Sequence, residues 1–195
     1  MIRTVLFVSG SELDEIVPRR FDVLFSITSP GQVAEVQGGW LDVYRTSFVD
    51  AEYDAESLKT NGIAWWIASG AISPVQAEAM KKTLDVLARS PLPINLVVHG
   101  LTGITLSVAV AEYVVERYHA RPRKQFRFSG NKTVRALLHD PWCLCCKSEY
   151  ESKMVPAWKR LANSAAAKLL DRKSSIGGQK SKWSDGIVQI VPKIS

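Results

Sequence analysis

The sequence predicts an α/β protein with a central, mostly parallel sheet of four to five strands between layers of helices. Short runs rich in β-branched and aromatic residues alternate with longer segments of helical periodicity, an order typical of parallel sheets. Turn residues separate these runs. Apolar residues make up 46% of the 195 residues, which is enough for the core of one domain.

Apolar runs predict strands at 4–8, 21–28 and 94–98, and alternation of apolar and polar residues predicts another at 41–48. The first run is too short for a signal peptide and has the wrong flanks, so we expect it to be a buried strand. Ser29-Pro30-Gly31 ends the second run with a turn. No apolar stretch reaches the roughly 20 residues that a membrane span needs.

Helix-capping residues predict where the helices begin. Ser11 is a candidate N-cap for a short helix after the first strand. Ser73, Pro74 and Gln76 have capping-box spacing, and the helix that they begin is expected to end at Ser90-Pro91. Further helices are predicted at 108–118 and within 129–138. The segment 55–72 holds Trp65 and Trp66, which suit core packing, a lid or a partner contact.

A short loop of small residues connects the strand at 94–98 to the helix at 108–118. A strand, a tight loop and a helix N-terminus together form an anion cradle, because the loop N–H groups and the helix dipole favour negative charge. The N–H groups that we expect to face an anion belong to Leu101, Thr102, Gly103, Ile104, Thr105 and Ser107.

This loop resembles the signature loop of the protein tyrosine phosphatases and dual-specificity phosphatases, in which Val-His-Cys is followed by five residues and Arg-Ser. Val98, His99, Gly103 and Ser107 match that pattern. The likeness is closest to small phosphatase-like proteins of bacteria and their phages. It extends over 3–140, with the turn after the second strand and the Asn-x-x-Val-x-x-Leu-Leu pattern at 131–138 adding to it. The resemblance implies a three-layer phosphatase-like fold.

Two positions depart from the family pattern. Gly100 stands where the family has its nucleophilic Cys, and Leu106 stands where it has the Arg that grips phosphate. A thiolate and a guanidinium are both needed for this phosphoryl transfer. We therefore expect a pseudophosphatase that performs no Cys-based catalysis and has no cofactor.

The loop after the third strand contains Asp50 and Asp54. In the family that the chain resembles, an Asp from this loop protonates the leaving oxygen, and either residue fits that place. General acid catalysis needs a departing group to protonate. Without the nucleophile, a solvated carboxylate that begins a helix is the competing interpretation.

The charge is divided unevenly along the chain. Residues 1–120 carry 9 Lys and Arg against 14 Asp and Glu, whereas residues 121–195 carry 16 against 5. We expect a phosphatase-like domain over 1–140 and a basic C-terminal extension over 141–195, with an amphipathic helix at 155–169, a mobile segment at 173–182 and a short strand or tether at 187–191. The basic segment is suited to an anionic partner, a nucleic acid among them.

Three cysteines lie close together in the extension, at Cys143, Cys145 and Cys146. Their odd number argues against a disulfide framework and favours the reducing cytoplasm. With His139 they form a four-ligand set, but the spacing lacks the Cys-x-x-Cys of zinc knuckles, so we expect free thiols and no metal.

Three functions follow from these patterns. The first is an inactive phosphatase-like domain that binds a protein partner and regulates it. The second is a nucleic-acid-associated protein that uses residues 121–195. The third is a hydrolase whose chemistry at the remnant loop is not recognised, and the sequence names no nucleophile for it.

Overall fold

The computed structural model describes residues 1–154 of the chain. Among these, residues 1–144 form one compact unit and residues 145–154 belong to a second. The predicted amphipathic helix at 155–169, the segment at 173–182 and the strand or tether at 187–191 lie outside the described residues.

Five parallel strands form the central sheet, which confirms the predicted fold class. They are β1 Ile2–Val8, β2 Asp22–Thr28, β3 Asp42–Ser47, β4 Ile94–Gly100 and β5 Arg121–Pro122. Their order across the sheet is β3-β2-β4-β1-β5. The fifth strand was not predicted, because it has only two residues and one of them is a proline.

Six helices connect or follow the strands in the described part of the chain. They are α1 Gly10–Asp14, α2 Ala55–Ala68, α3 Pro74–Arg89, α4 Leu106–Tyr118, α5 Lys132–His139 and α6 Lys147–Met154. Helix α6 belongs to the second unit. Within residues 1–154, no helix combines the length and the apolar composition that crossing a bilayer requires.

The sheet has an apolar layer on each face. Successive strand residues point to opposite faces, so Val5 and Phe7 join the large core under α3, α4 and α5, while Val8 packs with Leu13 of α1 on the other face. The second layer has only four buried apolar residues in the described part of the chain. Helix α4, which follows the small-residue loop, therefore lies on the face of the sheet with the larger core.

The capping box of α3 is confirmed. The hydroxyl of Ser73 accepts from the Gln76 N–H at 3.1 Å, and the Gln76 side chain accepts from the Ser73 N–H at 2.9 Å. The prediction that Ser11 caps α1 was wrong. Ser9 is the N-cap and forms a capping box with Glu12, because β1 ends at Val8 and the helix begins at Gly10.

Helix α2 is interrupted at Gly62, whose φ of 78° is open to glycine and strained for other residues. The interruption separates the two tryptophans from the start of the helix. Trp66 is buried and donates its indole N–H to the Ile72 carbonyl at 2.8 Å, whereas Trp65 is exposed. Core packing therefore describes Trp66 only.

Candidate functional site

The topology places a crevice at the carboxyl ends of β1 and β4. These strands are neighbours in the sheet. The connection after β1 leads to β2 on one side of the pair, and the connection after β4 leads to β5 on the opposite side. Connections that diverge in this way open a gap in which α/β proteins bind ligands. The loop at 101–105 lies at this edge, against the start of α1, and Gly10 donates its N–H to the Leu101 carbonyl at 3.3 Å.

The loop turns sharply at Gly103. Its φ is 68°, and a Cβ atom at this position would lie 2.6 Å from the Ser9 nitrogen, so only glycine fits without displacing the backbone. Gly103 also donates its N–H to the Gly100 carbonyl at 3.0 Å. The sequence predicted a tight turn between the strand and the helix. The close approach of Gly103 to the Ser9 backbone explains why this turn needs glycine.

His99 lies at the end of β4, buried beneath the loop. Its Nδ1 atom is 2.9 Å from the hydroxyl of Ser26, a buried residue of the neighbouring strand β2. Burial lowers the pKa of His99 below its usual range; Arg45 acts in the same direction and Asp14 opposes it. This hydrogen bond joins β4 to β2 just before the loop begins.

Gly100, the last residue of β4, faces the start of α4. A Cβ atom on Gly100 would lie 3.2 Å from the Ser107 nitrogen and 3.3 Å from its hydroxyl oxygen. Ser107 is fully buried, and its hydroxyl has no hydrogen-bond partner among the described residues. A buried hydroxyl without a partner is uncommon and costly. This unused group points to the place where a side chain at position 100 would begin.

Leu106 does not occupy the cradle. Its side chain is buried in the large core with Val108 and Val110 of the same helix. An arginine at this position would have to leave that packing to face the loop. Leu106 therefore contributes to the packing of the core rather than to anion binding.

Asp50 is brought to the loop by tertiary structure. The Thr105 hydroxyl donates to Asp50 Oδ2, and the Asn131 side-chain amide donates to Asp50 Oδ1 at 2.8 Å. Asn131 also donates its backbone N–H to the Thr105 carbonyl at 3.1 Å. These bonds join the loop, the segment after β3 and the start of α5 into one network.

Asp54 has a different place. It is the N-cap of α2, where its carboxylate accepts from the Glu56 N–H at 3.0 Å and from the Ser57 hydroxyl. The Ser57 hydrogen bond is the main cause that lowers the pKa of Asp54. Of the two candidate carboxylates, only Asp50 contacts the loop, and Asp54 has the helix-starting role of the competing interpretation.

The loop N–H groups are partly used within the loop itself. Gly103 donates to Gly100, and Ile104 donates to the Thr102 hydroxyl at 3.4 Å. Neither of these two N–H groups is available to an anion in this conformation. The first hydrogen bond of α4 runs from Ala109 to Thr105, so the N–H groups of Leu106 and Ser107 precede it and belong to the unsatisfied helix terminus.

A cavity of about 580 Å³ opens beside the loop. Thr102, Gly103 and Ile104 form one wall, and the segment 124–128 forms another. Lys124 and Glu12 also line this cavity, and Lys124 Nζ lies 2.6 Å from Glu12 Oε1. This hydrogen bond is the main cause that lowers the pKa of Glu12. The cavity combines cationic and aromatic side chains. Sequence reasoning missed this wall, because 124–128 has no periodicity that assigns it a place.

His139 and the three cysteines were the candidate metal ligands of the sequence, for which free thiols and no metal are expected. No group of three or more His, Cys, Asp and Glu residues there has the geometry to hold a metal ion. His139 instead contacts Glu116 at 3.2 Å and the edge of the Tyr113 ring. Cys143, Cys145 and Cys146 form no disulfide.

Comparison with known proteins adds no relative. No family model matches the chain, and neither a curated protein nor a solved structure matches it. The assignment of a function therefore depends on the residues of the site.

Proposed function

We propose that this chain is a catalytically inactive, phosphatase-like domain that binds a protein partner through the loop at 101–105 and the cavity beside it. The observation that carries the proposal is the pairing of a retained loop frame with two lost reactive groups. Gly100 has no side chain, and Leu106 is buried in the core.

The retained frame supports kinship with the phosphatase-like proteins. The loop lies between a central parallel strand and a buried helix. His99 precedes it and bonds to Ser26 of β2, and Asp50 reaches it from the segment after β3. The chemistry is absent because no thiolate attacks phosphorus and no guanidinium stabilises the transition state.

The surface of the loop supports a protein partner over a phosphate ligand. Leu101 and Ile104 are 58% and 48% exposed, and Phe128 at the cavity wall is 62% exposed. Arg127 and Lys124 line the same cavity. Aromatic residues and arginine are enriched in protein interfaces, and the exposed aliphatic residues of the loop add apolar surface beside them.

Hydrolysis of an aryl phosphate tests the catalytic half of the proposal. We expect the purified protein to release aryl alcohol at the rate of buffer alone, and the Asp50→Asn variant to be indistinguishable from it. Turnover above background that Asp50→Asn abolishes would show a working general acid and would contradict the proposal.

Comparative capture from cells that naturally produce the protein tests the binding half. We expect the wild type to capture a partner protein that the Ile104→Ser variant does not capture. The matched control is Val86→Ser, which alters another exposed aliphatic residue, on α3, at 66% exposure. Equal retention by all three forms, or retention of no protein, would contradict a partner surface at the loop.

A further inference from the structure

Four arginines line a second cavity, on the edge of the sheet opposite the loop. The cavity has a volume of about 590 Å³. Arg3 and Thr4 lie near the start of β1, Asn95 lies near the start of β4, and Arg121 on β5 pairs in register with Thr4. The full lining is Arg3, Thr4, Arg19, Asn95, Arg121, Pro122 and Arg123. We refer to it as the arginine cleft.

None of the four guanidinium groups forms an ion pair with a carboxylate in residues 1–154. The lining itself contains no Asp or Glu. A cleft that is lined by charges of one sign attracts ions of the opposite sign. The cluster is therefore a candidate anion site.

The carboxylates nearby are engaged or lie in the adjoining cavity. Asp22 is buried, and it accepts from the Arg19 backbone N–H at 3.1 Å and from the Asn95 side chain at 2.9 Å. The Thr4 hydroxyl donates to Asn95 at 2.9 Å, which completes a polar row across three strands. Asp22 and Glu15 line the neighbouring cavity, which shares Arg19 and Arg123 with the cleft. The hydrogen bonds of this row involve the side chains of Thr4, Asn95 and Asp22 and the Arg19 backbone N–H, but none of the guanidinium groups.

We propose that the arginine cleft binds the phosphate backbone of a nucleic acid. Guanidinium groups match phosphate oxygens in a bidentate geometry. One phosphate group contacts one or two of them, whereas four arginines from three separate segments fit a ligand with repeated phosphates. Residues 155–195 carry 8 Lys and Arg against 2 Asp, so a long polyanion also matches the charge of the remaining sequence. This site is separate from the loop and does not depend on the function proposed for it.

The test is fluorescence anisotropy of the full-length protein with a labelled DNA duplex of about 20 base pairs, between roughly 50 and 200 mM salt. The double variant Arg121→Gln with Arg123→Gln removes two cleft charges. We expect its binding to weaken about tenfold, and the slope of log affinity against log salt to decrease by about 2. The control, Lys59→Gln with Lys82→Gln, removes the same charge from α2 and α3, and we expect its affinity to stay within about twofold. Circular dichroism verifies that both double variants are folded.

Four results would overturn the proposal. The first is no binding at the lowest salt concentration. The second is a cleft variant with wild-type affinity and salt slope, and the third is a control variant that weakens binding equally. The fourth concerns the ligand: if inorganic tripolyphosphate displaces the duplex as well as unlabelled duplex does at equal phosphate concentration, the cleft takes small polyphosphates.

Discussion

Replacement of Asn131 by alanine tests the network that holds the loop in place. The Asn131 side chain accepts from the Val134 N–H at 2.9 Å and caps α5. Its amide donates to Asp50 at 2.8 Å and to the Ala51 carbonyl at 3.0 Å. Asn131→Ala removes all three hydrogen bonds and leaves the backbone bond to Thr105 in place.

The expected loss follows from these contacts. Removal of a side-chain N-cap costs about 1 to 2 kcal/mol. The Ala51 carbonyl, which is half-buried, loses a donor at a cost of about 1 kcal/mol. Asp50 is exposed, so water replaces its lost bond at little cost. The free energy of unfolding should therefore decrease by about 2 to 3 kcal/mol.

Urea denaturation monitored by tryptophan fluorescence measures this change in the free energy of unfolding. The control is Asn61→Ala, which removes an exposed asparagine whose only described bond is to the Ser57 carbonyl within α2. We expect the control to stay within about 0.5 kcal/mol of the wild type. If Asn131→Ala also stays within that range, the network does not hold the loop and this reasoning is refuted.

Three further predictions concern single positions. Burial lowers the pKa of His99, so below about pH 6.5 the unfolded chain binds a proton that the folded protein does not. The free energy of unfolding therefore decreases as the pH falls from about 6.5 towards the lowered native pKa, by at most ~1.4 kcal/mol per pH unit. His99→Gln should remove this part of the decline, and urea midpoints from pH 7 to 5 that keep the wild-type profile would contradict it. Gly130→Ala should destabilise by about 3 kcal/mol or more in the same assay, because its Cβ would lie 2.2 Å from the Ala109 nitrogen, whereas Gly38→Ala meets no atom within 4 Å and should be tolerated; equal effects would refute the clash. Ser73→Ala should cost about 1 kcal/mol by loss of the α3 cap, and an unchanged urea midpoint would show that this cap contributes little.

The fold class could be predicted because its evidence is local. Ser73, Pro74 and Gln76 carry the start of α3 within four residues, and each long strand is marked by a local apolar run or, at 41–48, by alternation of apolar and polar residues. The start of α1 was misplaced because Ser9 and Ser11 are both suitable caps, and the choice depends on where β1 ends. Strand β5 has no local evidence at all, since it forms only by pairing with β1.

The candidate site could be predicted in part. The loop was located because its strand, small residues and helix are consecutive in the chain. Asp50 and Asp54 could not be distinguished, because their separation into a loop contact and a helix cap is decided by tertiary structure. The roles of Asn131 and Ser26 were missed for the same reason, since each contacts a residue more than 70 positions away.

The arginine cleft shows the same limit more strongly. Arg3, Arg19 and Arg121 are far apart in the sequence, and only the parallel pairing of β1 with β5 brings Arg3 and Arg121 to one edge. The excess of positive charge beyond residue 120 was visible in the sequence. Its continuation onto the first strand was not, because residues 1–120 are acidic as a whole.

The pKa of a thiol introduced by Gly100→Cys tests the central claim most directly. The claim is that the loop keeps a phosphatase-type frame around a missing nucleophile. With Cys143, Cys145 and Cys146 replaced by Ser, the pH dependence of alkylation reports this one thiol.

The new Cβ would meet Ser107 at 3.2 to 3.3 Å, so Ser107 must yield by a few tenths of an ångström. The start of α4 and the partnerless Ser107 hydroxyl should then stabilise the thiolate, giving a pKa below about 7 that Ser107→Ala raises. A pKa at or above the usual value of about 8.5 would contradict the claim.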